Sequence, residues 1–109
     1  MFVAVYCWEV KPGKEEQFRE AWCTGTRLIE GIYGGLGSRL HRERDGRFVA
    51  IAVWPDEATW HRAMDARMVY DDPQTRARVL DALRDDAKHT QLVFAMQVTD
   101  DLLQRVLPP

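Results

Sequence analysis

The apolar residues change their spacing at Pro12-Gly13, and that change constrains the fold more than any other feature of the chain. Before it, Phe2 to Val10 is a run of β-branched, aromatic and small residues, which predicts a first strand. The Pro-Gly pair ends that strand and opens the next element. After it, Phe18, Trp22, Gly25, Ile29 and Ile32 recur at steps of four, three, four and three, the stripe of an amphipathic helix. The helix should run from Lys14 to near Gly31. Glu15, Glu16, Arg19, Glu20 and Arg27 fall mostly off the stripe and form its solvated face.

Gly34, Gly35 and Gly37 then break the chain, and two β-rich segments flank Asp45-Gly46, a dipeptide favoured in tight type I′ hairpin turns. Leu36 to Arg44 and Arg47 to Trp54 are the second and third strands. Pro55 cannot donate to a ladder and Asp56 is a good N-cap, so a helix starts there with Trp60, Ala63, Met64 and Met68 on one side. Asp72-Pro73 repeats the start signal and predicts a helix from Pro73 to about Lys88, with Ala77, Leu80, Leu83 and Ala87 inward. Gln91 to Val98 alternate as a last strand. Asp100 to Leu107 could form a short helix that docks Leu102, Leu103, Val106 and Leu107 on its own or a neighbouring subunit.

A strand, a helix, a hairpin, a helical stretch and a final strand is the order of the ferredoxin-like βαββαβ unit, an α+β fold with helices on one face of an antiparallel sheet. The 109 residues then form a single domain, core 2–98 with a tail at 99–109. A domain of this size buries only about two-thirds of its unfolded surface. In the first strand both alternating sets, Val3, Val5 and Cys7 against Phe2, Ala4, Tyr6 and Trp8, are apolar. One set meets helices and the other needs a second sheet, which predicts a homodimer closed face to face.

A formal charge of −2 and a pI near 5.9, with cations scattered among carboxylates, offer no field for nucleic acid. No apolar run approaches the roughly 20 residues of a membrane span, and no charged leader precedes the first strand, so a cytoplasmic location is expected. Cys7 and Cys23 sit on different predicted elements and read as buried thiols rather than a disulfide, metal or redox pair.

No phosphate-cradling glycine loop, nucleophile elbow or dinucleotide fingerprint is present, because the Gly34–Gly37 cluster precedes a strand rather than a helix. His41, His61 and His89 are dispersed, so no metal site is expected. The hairpin is more informative. A two-residue Asp45-Gly46 loop pairs Arg44 with Arg47, and by counting sets His41 opposite Ala50, Arg39 opposite Ala52 and Gly37 opposite Trp54. Small alanines beside Arg39 and His41 leave room for a cavity, with Tyr6, Trp8, Trp54 and Trp60 as walls. There His41 is the candidate base and Arg39 the candidate stabiliser of a phenolate ligand. The structural alternative is that edge charges keep the sheet soluble, and that Trp22 and Trp60, at helical spacing, are core residues first.

Val10-Lys11-Pro12-Gly13 at the end of the first strand, Glu15-Glu16-Gln17-Phe18 with Trp22, the Asp45-Gly46 hairpin, and Ala52-Val53-Trp54 before an acidic-aromatic helix together resemble the antibiotic biosynthesis monooxygenase family. The resemblance covers residues 2–98. It implies a dimeric α+β barrel with one pocket per subunit between sheet and helices. Members include enzymes that oxidise phenols or quinols with O2 using neither metal nor flavin, and others that degrade haem. The haem degraders carry an Asn on the first strand where Tyr6 lies here and a Trp where Ala63 falls. The leading expectation is therefore a cofactor-independent monooxygenase of a small aromatic or quinol substrate. A non-catalytic dimeric module binding a small molecule is the competing class, and a haem protein the third.

Overall fold

The computed structural model describes residues 1–103, which form β1 (Phe2–Trp8), α1 (Glu15–Tyr33), β2 (Gly37–Arg42), β3 (Phe48–Trp54), α2 (Glu57–Asp65), α3 (Pro73–Ala82) and β4 (Gln91–Gln97). The four strands make one antiparallel sheet in the order β2-β3-β1-β4. This is the expected ferredoxin-like α+β arrangement, with the helical layer on one face.

Phe2, Ala4, Tyr6 and Trp8 of β1 point to the helices, where Phe18 of α1 is fully buried between Trp8 and Phe48 at ring separations of 5.4 and 5.1 Å. Within α1 the inward set is Phe18, Ala21 and Gly25, with Trp22 and Ile29 half-buried. Ile32, placed inward by its spacing, is instead exposed in the last turn of the helix, which ends at Tyr33. Gly34 closes that helix in the left-handed conformation, φ 84°, donating to Glu30 O. Cys7 is buried, but Cys23 lies on the solvent side of α1, so its expected burial does not hold.

Asp56 and Asp72 cap α2 and α3 as expected, accepting from Thr59 N at 2.7 Å and Thr75 N at 3.0 Å. The second of these helices is shorter than its sequence suggests. Val10 and Leu83 form an isolated bridge, Lys11 N donates to Ala82 O, and Arg84 N donates to Glu9 O. These bonds to the segment after β1 pull the chain into an extended conformation at Leu83, and α3 stops at Ala82. Its buried residues are Thr75 and Ala82, whereas Ala77 and Leu80 are exposed.

The hairpin differs by one residue from the expected register. Glu43 N donates to Arg47 O and Gly46 N to Glu43 O, so the loop has three residues, Arg44, Asp45 and Gly46. Gly46 sits at φ 94° while Asp45 keeps a negative φ, which excludes a type I′ turn and fits a type I turn followed by a left-handed glycine. Arg42 therefore faces Phe48, Leu40 faces Ala50 and Ser38 faces Ala52. A slip of one residue sends every side chain to the opposite face. Arg39 and His41 consequently stand with Ile51 and Val49 on the side away from the helices.

That outer side carries Val3, Val5, Cys7, Val49, Ile51 and Val53, and β4 adds Phe94 opposite Val5 and Met96 opposite Val3. Phe94 is 58% and Met96 45% exposed. A bulge between Val5 and Tyr6 leaves Val93 without a partner on β1 and sets Leu92 opposite Tyr6. In the tail, Leu102 and Leu103 are exposed and outside any helix; the expected contacts of Val106 and Leu107 lie outside the described residues.

Candidate functional site

Between the sheet and the helices lies a cavity of about 600 Å³. Its floor comes from the β-strand pattern: Ala50 and Ala52 of β3 and Ser38 of β2 are the small residues on the helix side. Tyr6, Trp8, Trp22 and Trp54 supply flat walls, and Met64 and Met68 adaptable apolar ones. The three expected wall residues on the strands, Tyr6, Trp8 and Trp54, thus come together around the two alanines. Trp60 does not line the cavity. It packs on Phe2 at 5.0 Å and donates its Nε1 to Tyr6 Oη at 2.9 Å, acting behind the wall. Arg39 and His41, expected inside, are outside by the register just described, and His41 Nδ1 lies 3.2 Å from Val49 O.

Tyr6 is 8% exposed. Burial raises its pKa above the ordinary phenol value, partly offset by the bond from Trp60, so at neutral pH it is a protonated donor. With Trp60 on one lone pair, its hydroxyl hydrogen faces only Met64 Sδ at 3.6 Å, a weak acceptor that a ligand oxygen would outcompete. Trp8 is held by a 2.8 Å bond from Nε1 to Thr90 Oγ1. The Trp54 indole nitrogen is closed off and finds no acceptor among the described residues, a deficit of about 1–3 kcal/mol.

The rim carries groups that the sequence did not place there. Glu30 of α1 and His89 before β4 line the cavity. Gly35 sits between Glu30 and Trp54: a Cβ there would lie 3.6 Å from Glu30 Cγ and 3.5 Å from Trp54 Cζ3. Tyr70 reaches over Gly25 of α1, where a Cβ would meet Tyr70 Oη at 2.8 Å. Burial also raises the Tyr70 pKa, with the Arg76 charge opposing and the Asp72 charge adding to the shift. Arg67 and Arg76 complete the rim. Period and spacing could not have gathered these residues, because the α1 end, the α2 end, α3 and the run before β4 are remote in the chain.

Among the described residues no three His, Cys, Asp or Glu side chains gather as metal donors, and no helix is long and apolar enough to cross a membrane.

The architecture is shared with solved structures of low sequence identity. The cofactor-independent oxygenase SnoaB from Streptomyces nogalater, as an N63A mutant, superposes with a TM-score of 0.66 at 19% identity over 94% of this chain and 97% of its own. Rv0793 from Mycobacterium tuberculosis gives 0.64 at 12% identity over 94% and 98%. The haem degrader MhuD from the same organism, solved with two haems in its active site, gives 0.62 at 18% identity over 94% and 99%. A comparison with curated proteins gives no match. These likenesses establish the fold, and the sequence itself goes further: residues 1–70, spanning β1 to the loop after α2, match the family described as antibiotic biosynthesis monooxygenase, and the chain belongs to that family.

Proposed function

We propose that the chain is a cofactor-independent monooxygenase that oxidises a small electron-rich aromatic or quinol with O2, working as a homodimer with one slot per subunit. The observation that carries this reading is the slot itself: an apolar cavity of about 600 Å³ over Ala50 and Ala52, walled by Tyr6, Trp8, Trp22 and Trp54. Planar aromatic walls over a small-residue floor favour a flat arene, and the Tyr6 hydroxyl is a donor available to a developing phenolate.

Glu30 or His89 would take the phenolic proton, and Tyr6 would donate to an oxygen of the ligand. The electron-rich anion then reduces O2 directly. For a ring CH2 the balance closes without another reductant: one oxygen atom becomes the ring carbonyl, the other leaves as water with the two hydrogens, and the substrate supplies all four electrons. Arg39 and His41 have no place in this scheme, since they face away from the slot. The outer sheet face, with Ile51, Phe94 and Met96 exposed, is the surface a second sheet would cover.

The test is oxygen uptake with hydroxyanthrones and dihydroxynaphthalenes, with and without a chelator. Chelator-insensitive uptake that falls in a Glu30→Gln, His89→Gln double variant supports the proposal. Tight binding without uptake across the panel would instead make the chain a binding module.

A further inference from the structure

The end of α2 adopts a conformation that its residues resist. Met68 N donates to Ala63 O and Arg67 N to Met64 O, the two bonds of a Schellman cap. The position after the cap residue Ala66 is normally glycine, because it requires a left-handed backbone. Here it is Arg67 at φ 57°, followed by Met68 at φ 48°. Both side chains line the cavity. Among the described residues these are the two non-glycine positions with positive φ, and strain of this kind collects at sites where a side chain is needed.

The Arg67 guanidinium has no carboxylate or hydrogen-bond acceptor among the described residues. Arg76, on α3, lines the same cavity, is likewise without an ion pair there, and lies close enough to Tyr70 to act on its phenol. Lys88 is engaged elsewhere, donating to Leu80 O at 2.8 Å and pairing with Asp85 at 3.5 Å. Against these cations the lining holds one carboxylate, Glu30, which belongs to the Gly35 and Trp54 side. An apolar slot with two uncommitted guanidinia at its rim suits a planar ligand carrying an anion at one edge.

We propose that the slot takes an aromatic acid, with its ring over Ala50 and Ala52 and its carboxylate held by Arg67, supported by Arg76. This rests on the slot being the ligand site but not on oxygen chemistry. The strain at Arg67 is then the cost of placing a charge where glycine would fold better.

The experiment compares a hydroxynaphthoate with the corresponding neutral hydroxynaphthamide, read by quenching of the slot tryptophans and by calorimetry. Wild type should bind the acid about tenfold or more tightly than the amide, the preference shrinking as salt rises. Arg67→Gln should remove most of that preference while leaving amide binding within about twofold. Arg67→Gly should do the same without lowering the thermal midpoint, which separates lost recognition from lost folding. Equal binding of acid and amide by wild type overturns this inference alone. Preference that survives Arg67→Gln overturns it too, even if Arg76→Gln abolishes it. Failure of both ligands to bind overturns it together with the slot reading.

Discussion

The indole Nε1 of Trp60 donates to the phenol oxygen of Tyr6 across 2.9 Å, tying α2 to the middle of β1 behind the slot. Trp60→Phe keeps most of the apolar bulk and deletes the donor, so urea denaturation should show a loss of about 1–2 kcal/mol. The Tyr6 phenol should also titrate at higher pH than in wild type, because that bond opposes the effect of burial. The sign for stability follows from the raised folded pKa. The contribution of the buried phenol is complete below the ordinary value of 10.0 and declines as pH rises through the folded value. Phenolate absorbance and alkaline denaturation check the two halves.

Gly25 is a helical glycine with a partner rather than a turn. A Cβ there would press on Tyr70 Oη, the free end of a side chain that can swing away. Gly25→Ala should therefore keep or gain stability, since alanine is favoured over glycine inside a helix by roughly 1 kcal/mol. It should also displace Tyr70 and change affinity for naphthoate ligands. An unchanged affinity would mean that Tyr70 takes no part in the rim.

Phe94 stands on the outer sheet face opposite Val5. If two subunits associate there, Phe94→Glu should weaken association about a hundredfold, as expected for losing a buried aromatic worth about 2–3 kcal/mol. Sedimentation across a concentration series measures this directly. A wild type that stays monomeric at high concentration defeats the dimer.

Asp72 caps α3 through Thr75 N and Thr75 Oγ1, and its carboxyl pKa is lowered from 3.8, chiefly by the backbone bond from Thr75 N. A lowered folded pKa means that its stabilisation is present above the ordinary value and lost as pH falls through the folded one. Asp72→Asn retains an acceptor that does not titrate. Its thermal midpoint should therefore fall less steeply than that of wild type as the solution is acidified from neutral.

The order of elements was legible because apolar period is local: Phe18 and Gly25 report a helix and Val3, Val5 and Cys7 a strand without reference to the rest of the chain. The helix starts at Asp56 and Asp72 were legible for the same reason. The hairpin register was not, because Asp45-Gly46 suits both a two-residue and a three-residue loop, and both put Gly46 at positive φ. What decides between them is side-chain bonding: Glu43 Oε2 accepts from Asp45 N at 2.6 Å and Asp45 Oδ1 from Arg47 N at 2.9 Å. Tyr6, Trp8 and Trp54 line the cavity despite that slip, since they depend on β1 and β3 alone, while Arg39 and His41 lie on the other side of the sheet. His41→Ala and Arg39→Ala should accordingly leave naphthoate affinity unaltered in fluorescence titrations. The early end of α3 was invisible because it depends on Val10 meeting Leu83 across the whole domain.

The supernumerary Val93 makes β4 two half-strands out of phase. Leu92 looks into the slot, while Phe94 and Met96 look outward. Selection acting on the ligand and selection acting on the neighbouring molecule can therefore revise different letters of one short word. Deleting Val93 would set Leu92 directly before Phe94, and plain alternation would then keep Leu92 opposite Tyr6 and Phe94 outward in a strand without the bulge.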